Sequence, residues 1–310
     1  MRKGVINVAE GSQRLSGLII VNKEEGITSQ GVVNRIKRIF GTDKAGHTGT
    51  LDPMATGVLP VLVGRGVKAS EFMLTSEKHY GATLLLGFTT DTEDITGNVI
   101  DECEVNLSED TVLDAIGEFV GEIMQVPPMY SALKVGGRKL CDLARRGEFV
   151  ERQPRPVTVY SINAHKIDER EYYLDVVCSK GTYIRTLCAD IGKRLGVGGV
   201  MKTLERLSAS GYTIDESHTL GELENMSDDE RRGCVLPVED VFKKYESVTL
   251  SEFFARLAHS GQQIYLEKIK KDFKVGDVLR ICDEQGFFAV GEVRMYEDGL
   301  AIKPIRQFRD

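Results

Sequence analysis

One short segment strongly limits what this chain can fold into: residues 46–57 place three glycines and three threonines around a single carboxylate, Asp52. Glycine permits positive-φ backbone and lets another molecule approach closely, and Pro53 biases Asp52 towards an extended conformation. We therefore expect Asp52 on a stiff, irregular loop. The apolar residues 58–63 indicate a buried strand, or a short helix and a strand. Composition leaves one alternative open, an ordinary turn in which Asp52 bonds its own backbone.

The rest of the chain mixes strand-pair patterns with amphipathic helix patterns. Residues 18–21 indicate a first strand, and Thr28 and Ser29 offer an N-cap for a helix that Gly41 can end. Further elements are expected as strand pairs at 79–86 with 98–103 and at 157–162 with 172–178, helices at 108–120, 182–196 and 220–226, and short strands at 278–282, 287–295 and 300–304. This mixture predicts an α+β fold with a mixed, largely antiparallel sheet, flanking helices and a small β-rich C-terminal module.

An acidic segment, residues 91–97, joins the first predicted strand pair. Its carboxylates Asp91, Glu93 and Asp94 are oxygen ligands of the kind a metal ion uses. Threonine and glycine between them favour turns, however, and no fourth ligand has the spacing of an EF-hand. We interpret the segment as a hairpin loop and predict no metal site.

The charge of the chain is unevenly distributed. Its 310 residues carry a net charge of −7, which by itself disfavours nucleic acid as a partner. Residues 132–155, however, contain seven Lys or Arg against three Asp or Glu, whereas residues 91–111 contain eight Asp or Glu and no Lys or Arg. This segregation is compatible with a local basic face for RNA. A solvated surface is the alternative interpretation of each run.

Hydropathy and cysteine usage indicate the compartment. No 18-residue apolar run is present and residues 1–7 lack the apolar core of a signal peptide, so we expect neither a membrane span nor export. The six cysteines form no C-x-x-C pair, which disfavours zinc and dithiol sites and suits a reducing cytosol. We predict a cytoplasmic protein with a polar N-terminal extension at 1–16.

Four blocks of sequence resemble the bacterial tRNA pseudouridine synthase B family, which isomerises the uridine at position 55 in the T-arm of tRNA. The first block follows the family pattern K-x-G-H-x-G-T-L-D-P-x-A-x-G-V-L from Lys44 to Leu59. The others stand in the same order and spacing at 78–80 (KHY), 126–134 (VPPMYSALK) and 179–187 (SKGTYIRTL). Four ordered blocks, within a match from about residue 17 to about residue 241, are far more specific than one glycine-rich loop.

The resemblance implies an isomerase that detaches uracil, turns it and reattaches it through carbon, without a cofactor or a metal. It implies Asp52 as the catalytic nucleophile, Arg185 as the partner of its carboxylate, and Tyr80 as the ring that stacks on the target base. A bidentate arginine orients a carboxylate and favours its ionised form, and stacking contributes about 1–3 kcal/mol per base. Attack at sugar C1′, attack at uracil C6 and a glycal route stay open.

The resemblance further assigns substrate binding to His47, Lys23, Lys68, Tyr183 and Leu204. In the family pattern the tyrosine and the leucine line the base pocket, and the histidine fills the space left by flipped loop bases. The two lysines lie near the site and the RNA backbone. The family has proline after the first of them, where this chain has Glu24.

The resemblance also implies a domain organisation and a partner. It divides the chain into a catalytic domain at 17–246 and a PUA-like RNA-binding module at 247–310. A basic insert at about 126–155 is expected to close over RNA as a thumb whose cations contact phosphates. The expected partner is the T-arm stem-loop of tRNA, with the target base flipped out. We expect a monomer with no obligate protein partner and no membrane contact.

Two other functions are compatible with this sequence. One is a tRNA-binding folding chaperone whose catalysis is secondary or lost; the presence of Asp52, Tyr80 and Arg185 favours the enzyme. The other is a pseudouridine synthase that acts on another RNA through partner proteins. A C-terminal module on the same chain and the bacterial-type blocks favour a stand-alone tRNA enzyme.

Overall fold

A computed structural model describes residues 15–74, 77–131 and 133–309, so the predicted N-terminal extension lies almost wholly outside the described residues. The first strands of the described chain are β1 (Gly17–Lys23), β2 (Ala45–His47), β3 (Thr56–Val63), β4 (Lys78–Leu86), β5 (Phe88–Thr90), β6 (Val99–Glu102), β7 (Gly121–Gln125), β8 (Lys134–Val135), β9 (Arg138–Lys139), β10 (Arg155–Asp168), β11 (Glu171–Cys178), β12 (Gly199–Ala209), β13 (Tyr212–Thr213) and β14 (His218–Thr219). The helices among them are α1 (Ser29–Ile39), α2 (Ser70–Met73), α3 (Glu109–Gly117), α4 (Leu140–Ala144), α5 (Ile184–Leu195), α6 (Leu220–Asn225) and α7 (Asp228–Gly233).

Ten of these strands form one mixed sheet in the order β14-β1-β3-β12-β4-β11-β10-β7, with β2 paired to β3 and β13 paired to β12. The pairs β1–β14 and β3–β12 are parallel, whereas β1–β3, β4–β12, β4–β11, β10–β11 and β7–β10 are antiparallel. The predicted α+β fold with a mixed, largely antiparallel sheet is therefore confirmed.

One predicted strand pair is wrong. Residues 79–86 were expected to pair with 98–103, but β4 pairs with β11 and β12, and β6 pairs with the short strand β5. Gly87 separates β4 from β5 and has a φ of 92°, a conformation that glycine adopts without strain. The chain therefore leaves the large sheet at Gly87 and forms a separate hairpin around the acidic loop 91–97.

Alternate side chains of β1 enter two different hydrophobic cores, as the strand period requires. Ile19 and Val21 face a core to which helices α1, α3, α5 and α6 contribute. Leu18 and Ile20 face the opposite side of the sheet, where they belong to a cluster with Phe242 and residues of the C-terminal module. The large sheet is thus covered on one face by helices and partly on the other by the module.

The C-terminal module is built on a second sheet, as the short alternating runs predict. Its strands and helices are β15 (Ser247–Thr249), α8 (Glu252–His259), β16 (Ile264–Tyr265), α9 (Leu266–Ile269), β17 (Val278–Asp283), β18 (Gly286–Tyr296) and β19 (Gly299–Gln307). The strand order is β15-β17-β18-β19-β16, around a core of its own. Among all described helices, none combines the length and apolarity needed to cross a membrane.

The predicted thumb is the segment that leaves the large sheet between β7 and β10. Its described residues contain the β8–β9 hairpin and α4. Met129, Leu140 and Leu143 are buried together in a small core separate from that of the sheet. Arg145 and Arg146 lie exposed at the end of α4. The segment is therefore a packed substructure with exposed cations, and its closure over RNA stays a prediction.

Candidate active site

Asp52 lies on the irregular loop between β2 and β3, where the sequence predicts it. Neighbouring elements hold this loop on both sides of the aspartate. Ser29, at the start of α1, donates its hydroxyl to the carbonyl of the residue just before Asp52 (2.9 Å) and accepts a hydrogen bond from the N–H of that same residue (2.8 Å). The Lys23 ammonium, at the end of β1, donates to the carbonyls of Pro53 and Ala55 (3.1 and 2.5 Å). The carboxylate is therefore carried on a fixed backbone.

The Asp52 carboxylate pairs with Arg185, 133 residues further along the chain. Arg185 Nε lies 2.9 Å from Asp52 Oδ2, and Nη2 donates to Oδ1 at 3.2 Å, so one guanidinium holds both oxygens. The Asp52 side chain keeps 32% of its surface accessible, whereas that of Arg185 keeps 6%. The carboxylate is thus the member of the pair that a substrate can reach.

The pKa of Asp52 results from opposing influences. Burial raises it above the usual range, the charge of Arg185 opposes this rise, and the neighbouring charge of Asp94 adds to it. The sequence led us to expect that the arginine would favour the ionised form, and it does, but desolvation outweighs it. The result is an oriented carboxylate that is poorly hydrated and more basic than an exposed one.

Arg185 also ties two further segments to Asp52. Its Nη1 donates to the Thr92 carbonyl (3.2 Å) and lies 3.7 Å from Asp94 Oδ2, in the acidic loop. Its Nη2 donates to the Tyr130 carbonyl (2.8 Å), at the base of the thumb. Asp94 is only 4% exposed and accepts further hydrogen bonds within its own loop. The acidic segment is a hairpin loop as predicted, but it also contributes a buried carboxylate to the site.

Two strands and the start of a helix supply the predicted pocket residues. Tyr80 on β4 and Leu204 on β12 lie on the same face of the sheet, because Leu204 is directly opposite Ala82. Both are nearly buried, and the charge of Asp52 reaches the Tyr80 hydroxyl. Burial raises the pKa of Tyr80, so its phenol stays protonated at neutral pH. Tyr183 directly precedes α5, two residues before Arg185.

The remaining predicted residues lie in three different settings. His47, on β2 before the Asp52 loop, accepts a hydrogen bond from the Gly49 N–H at Nδ1 (3.4 Å). Lys23 is fully buried under the loop, and burial lowers its pKa to about 8. Lys68 lies in the short turn that follows β3, beyond the end of the strand away from Asp52, and donates to the Gln307 carbonyl of the C-terminal module (3.0 Å). Lys23 thus supports the loop from within, and Lys68 links two parts of the molecule; their contacts with RNA stay predictions.

Sequence reasoning missed three residues of this region: Asp94, Gln125 and Arg206. Gln125 binds both the N–H and the carbonyl of Tyr183 (3.0 and 3.2 Å), and no local pattern marks it. Arg206 lies at a buried position of β12, a strand that is not among the elements predicted from the sequence. Among the described residues, no group of three His, Cys, Asp or Glu is placed to hold a metal ion.

Comparisons with known proteins identify the family of this chain. Residues 37–184 match the TruB family pseudouridylate synthase N-terminal domain, and residues 185–243 match the tRNA pseudouridylate synthase B C-terminal domain. A tRNA pseudouridine synthase B from Clostridium tetani is 41% identical over 279 residues, 90% of this chain and 96% of that protein. Another from Saccharophagus degradans is 42% identical over 288 residues, 90% of this chain and 92% of that protein.

Solved structures share the fold. A chain of a Cbf5-Nop10-Gar1 complex aligns with a TM-score of 0.73 at 27% identity, covering 94% of this chain and 84% of that one. A chain of an H/ACA RNP bound to a substrate RNA containing 2′-deoxyuridine aligns with a TM-score of 0.70 at 25% identity, covering 95% and 85%. On the strength of both matched domains and of relatives that align over nearly their whole length, the chain belongs to the TruB family of pseudouridylate synthases.

Proposed function

We propose that this protein isomerises uridine to pseudouridine in tRNA, at position 55 of the T-loop, as a cytoplasmic tRNA pseudouridine(55) synthase. The observation that carries the proposal is the bidentate pair of Asp52 and Arg185, which offers an accessible, oriented carboxylate. Relatives named tRNA pseudouridine synthase B, which align over most of both chains, support the tRNA substrate.

The proposed reaction needs few groups. The bond between C1′ and N1 of uridine breaks, a bond between C1′ and C5 forms, and the proton lost at C5 is balanced by one gained at N1. Asp52 acts either as the nucleophile or as the group that stabilises the charge formed while the bond between C1′ and N1 breaks. Tyr80 stacks on the uracil and Leu204 bounds its pocket, so that the base turns without leaving the site. Arg185 keeps the carboxylate in one orientation.

The RNA contacts are proposed from charge and position. The target base of a folded T-loop must flip out to reach Asp52, at a cost of a few kcal/mol. Arg145 and Arg146 of the thumb, both exposed, contact phosphates, which position RNA without reading its sequence. Tyr183 and His47 are proposed to border the flipped base and its loop. The similar solved chains come from protein complexes, but we propose that this chain acts alone as a monomer, with its module adding affinity.

The test is incubation of the purified protein with unmodified tRNA and with an isolated T-arm stem-loop, followed by mapping of pseudouridine. We expect modification of both RNAs at position 55 and none in a transcript with cytidine at that position. The Asp52→Asn variant should bind RNA yet form no product, because the amide keeps the shape and loses the charge. Turnover of that variant above about a thousandth of wild type, or a product at another position, contradicts the proposal.

A further inference from the structure

Arg206 is a buried cation to which the proposed reaction assigns no role. It lies on β12 with 1% of its surface exposed, and it is the largest fully enclosed side chain of the described residues. The register of the sheet places it opposite Gly57 on β3 and opposite Tyr80 on β4. It therefore lies between the end of the Asp52 loop and the ring proposed to stack on the base.

The Arg206 guanidinium binds the Asp52 loop at both ends. Its Nε donates to the Val58 carbonyl (2.7 Å), and its Nη2 donates to the Gly49 carbonyl (3.1 Å). The main chains of Gly57 and Arg206 are also in close contact, because a Cβ on Gly57 would lie 2.3 Å from the Arg206 carbonyl oxygen. The loop residues 50–57 are thus enclosed between two bonds from one side chain.

The third partner of Arg206 is Tyr80. The two residues are directly opposite on antiparallel strands, so their side chains lie on the same face of the sheet. Burial raises the pKa of Tyr80, and the positive charge of Arg206 opposes that rise. One rigid, planar group therefore binds the Asp52 loop from a position directly beside Tyr80 on the neighbouring strand.

The cost of this arrangement argues for a role beyond packing. The acceptors named above are neutral, and a buried charge without a charged partner loses solvation that an apolar side chain of similar size would not lose. Preorganisation of reacting groups is worth such a cost, because a displacement of about 1 Å can reduce a rate about 10²-fold. We propose that Arg206 is a positioning residue of the isomerisation, which fixes the Asp52 loop and Tyr80 at one separation. The inference rests on the proposed function and deepens it.

The test compares Arg206→Lys and Arg206→Gln, each alone and combined with Tyr80→Phe. Lys202→Gln is the matched control, because it removes a cation from the same strand at a residue paired with Glu171 instead of the loop. For each variant we would measure thermal melting, the Kd for the T-arm stem-loop, and the single-turnover rate of pseudouridine formation at saturating RNA. The lysine variant keeps the charge but cannot reproduce the planar fork.

We expect folded Arg206 variants whose Kd changes less than about threefold and whose rate falls about 100-fold or more. In the Tyr80→Phe background the same substitutions should cost much less, because the two residues act as a unit. Four results would overturn the inference. A folded Arg206 variant could keep a rate near that of wild type, or could bind RNA more weakly without a slower rate. The rate reductions of the Arg206 and Tyr80 substitutions could multiply in the double variants, or both single Arg206 variants could fail to fold. A wild type that forms no pseudouridine overturns the proposed function instead.

Discussion

The Asp52 carboxylate combines three properties that are seldom found together: it is accessible, oriented and poorly solvated. Its partner Arg185 is nearly buried and has acceptors on three segments, which include the carbonyls of Thr92 and Tyr130. Because these carbonyls accept hydrogen bonds from other N–H groups of the guanidinium, they hold the arginine in one orientation relative to the carboxylate. The charge pair therefore holds the proposed nucleophile in one orientation, as preorganised catalysis requires.

We predict that Arg185→Lys lowers kcat about 100-fold or more although the charge is kept. A lysine ammonium cannot bind both oxygens of Asp52 in one plane and still reach the two carbonyls. The measurement is the steady-state rate on a T-arm stem-loop. Arg194→Lys is the matched control, since Arg194 makes a bidentate pair with Glu118 on the exposed side of α5. An Arg185→Lys enzyme as active as this control would disprove the bidentate role.

A second prediction concerns pH. Burial and the charge of Asp94 raise the pKa of Asp52, and the proposed role of Asp52 as nucleophile requires its ionised form. The rate should therefore fall as pH decreases through this raised pKa, at a higher pH than for an exposed aspartate of pKa about 3.9. Asp94→Asn removes a nearby negative charge, lowers the pKa of Asp52, and should move the acid limb of the kcat/KM profile to lower pH.

The control for the pH prediction is Asp91→Asn, which makes the same charge change in the same loop. Asp91 bonds Asn98 at the exposed side of the hairpin and has no contact with Arg185 among those described. Its acid limb should stay in place. An acid limb that moved equally in both variants, or upwards in Asp94→Asn, would show that Asp94 does not act on Asp52 through its charge.

At the scale of elements, the segments that form the site include a helix start without a side-chain cap and a loop with an unusual backbone conformation. Helix α5 starts without a side-chain cap, and Gln125 from β7 binds the main chain of Tyr183 instead. The acidic loop contains Glu93 at a φ of 64°, which is unusual for a residue other than glycine. This loop is attached to β12 through bonds from Met201 N to the Glu93 carbonyl and from Ile95 N to the Met201 carbonyl, both 3.1 Å. Contacts with neighbouring elements therefore stabilise backbone conformations that the local sequence alone would not favour.

The thumb carries the prediction that belongs to this scale. Arg146→Ala should weaken binding of the T-arm stem-loop and reduce the slope of log K against log salt concentration by about one, because one fewer phosphate is neutralised. The measurement is Kd at several salt concentrations. Lys166→Ala is the control, since Lys166 is also exposed but lies near the far end of β10 from the thumb. Equal slopes for the two variants would argue against a thumb–phosphate contact.

At the scale of the molecule, the two sheets share a hydrophobic cluster and do not form independent units. Phe242 is fully buried at its centre, with its ring centroid 5.0 Å from that of Phe72, 5.7 Å from Phe287 and 5.3 Å from Phe308. Side chains of β1 and β3 belong to the same cluster. Because β3 follows the Asp52 loop directly, the module packs against a strand that carries the site.

We predict that Phe242→Ala destabilises the protein by about 3–5 kcal/mol, the usual cost of removing a buried aromatic ring. The measurement is the free energy of unfolding in denaturant. Phe253→Ala is the matched control, because Phe253 is 59% exposed and should change stability by no more than about 0.5 kcal/mol. A Phe242→Ala cost as small as that of the control would mean that the module does not stabilise the catalytic sheet.

Sequence by itself determined the local structure and much of the site. Thr28 caps α1 as its side chain predicts, and Gly196 ends α5 in the left-handed conformation. The loop around Asp52 follows from its own glycines and proline. Caps, turns and hydrophobic periods act over a few residues, so they can be read without knowledge of the neighbours. The resemblance of four blocks added the pairing of Asp52 with Arg185, which no local rule provides.

Only the tertiary structure decided how distant segments meet. It placed β12 between β3 and β4, and so brought Arg206 to the Asp52 loop and to Tyr80. It turned Lys23 inward and brought Asp94 to Arg185. These contacts join residues that lie tens to more than a hundred positions apart, and they depend on which apolar faces are buried together. That choice is a property of the whole packed core, which no short stretch of sequence contains.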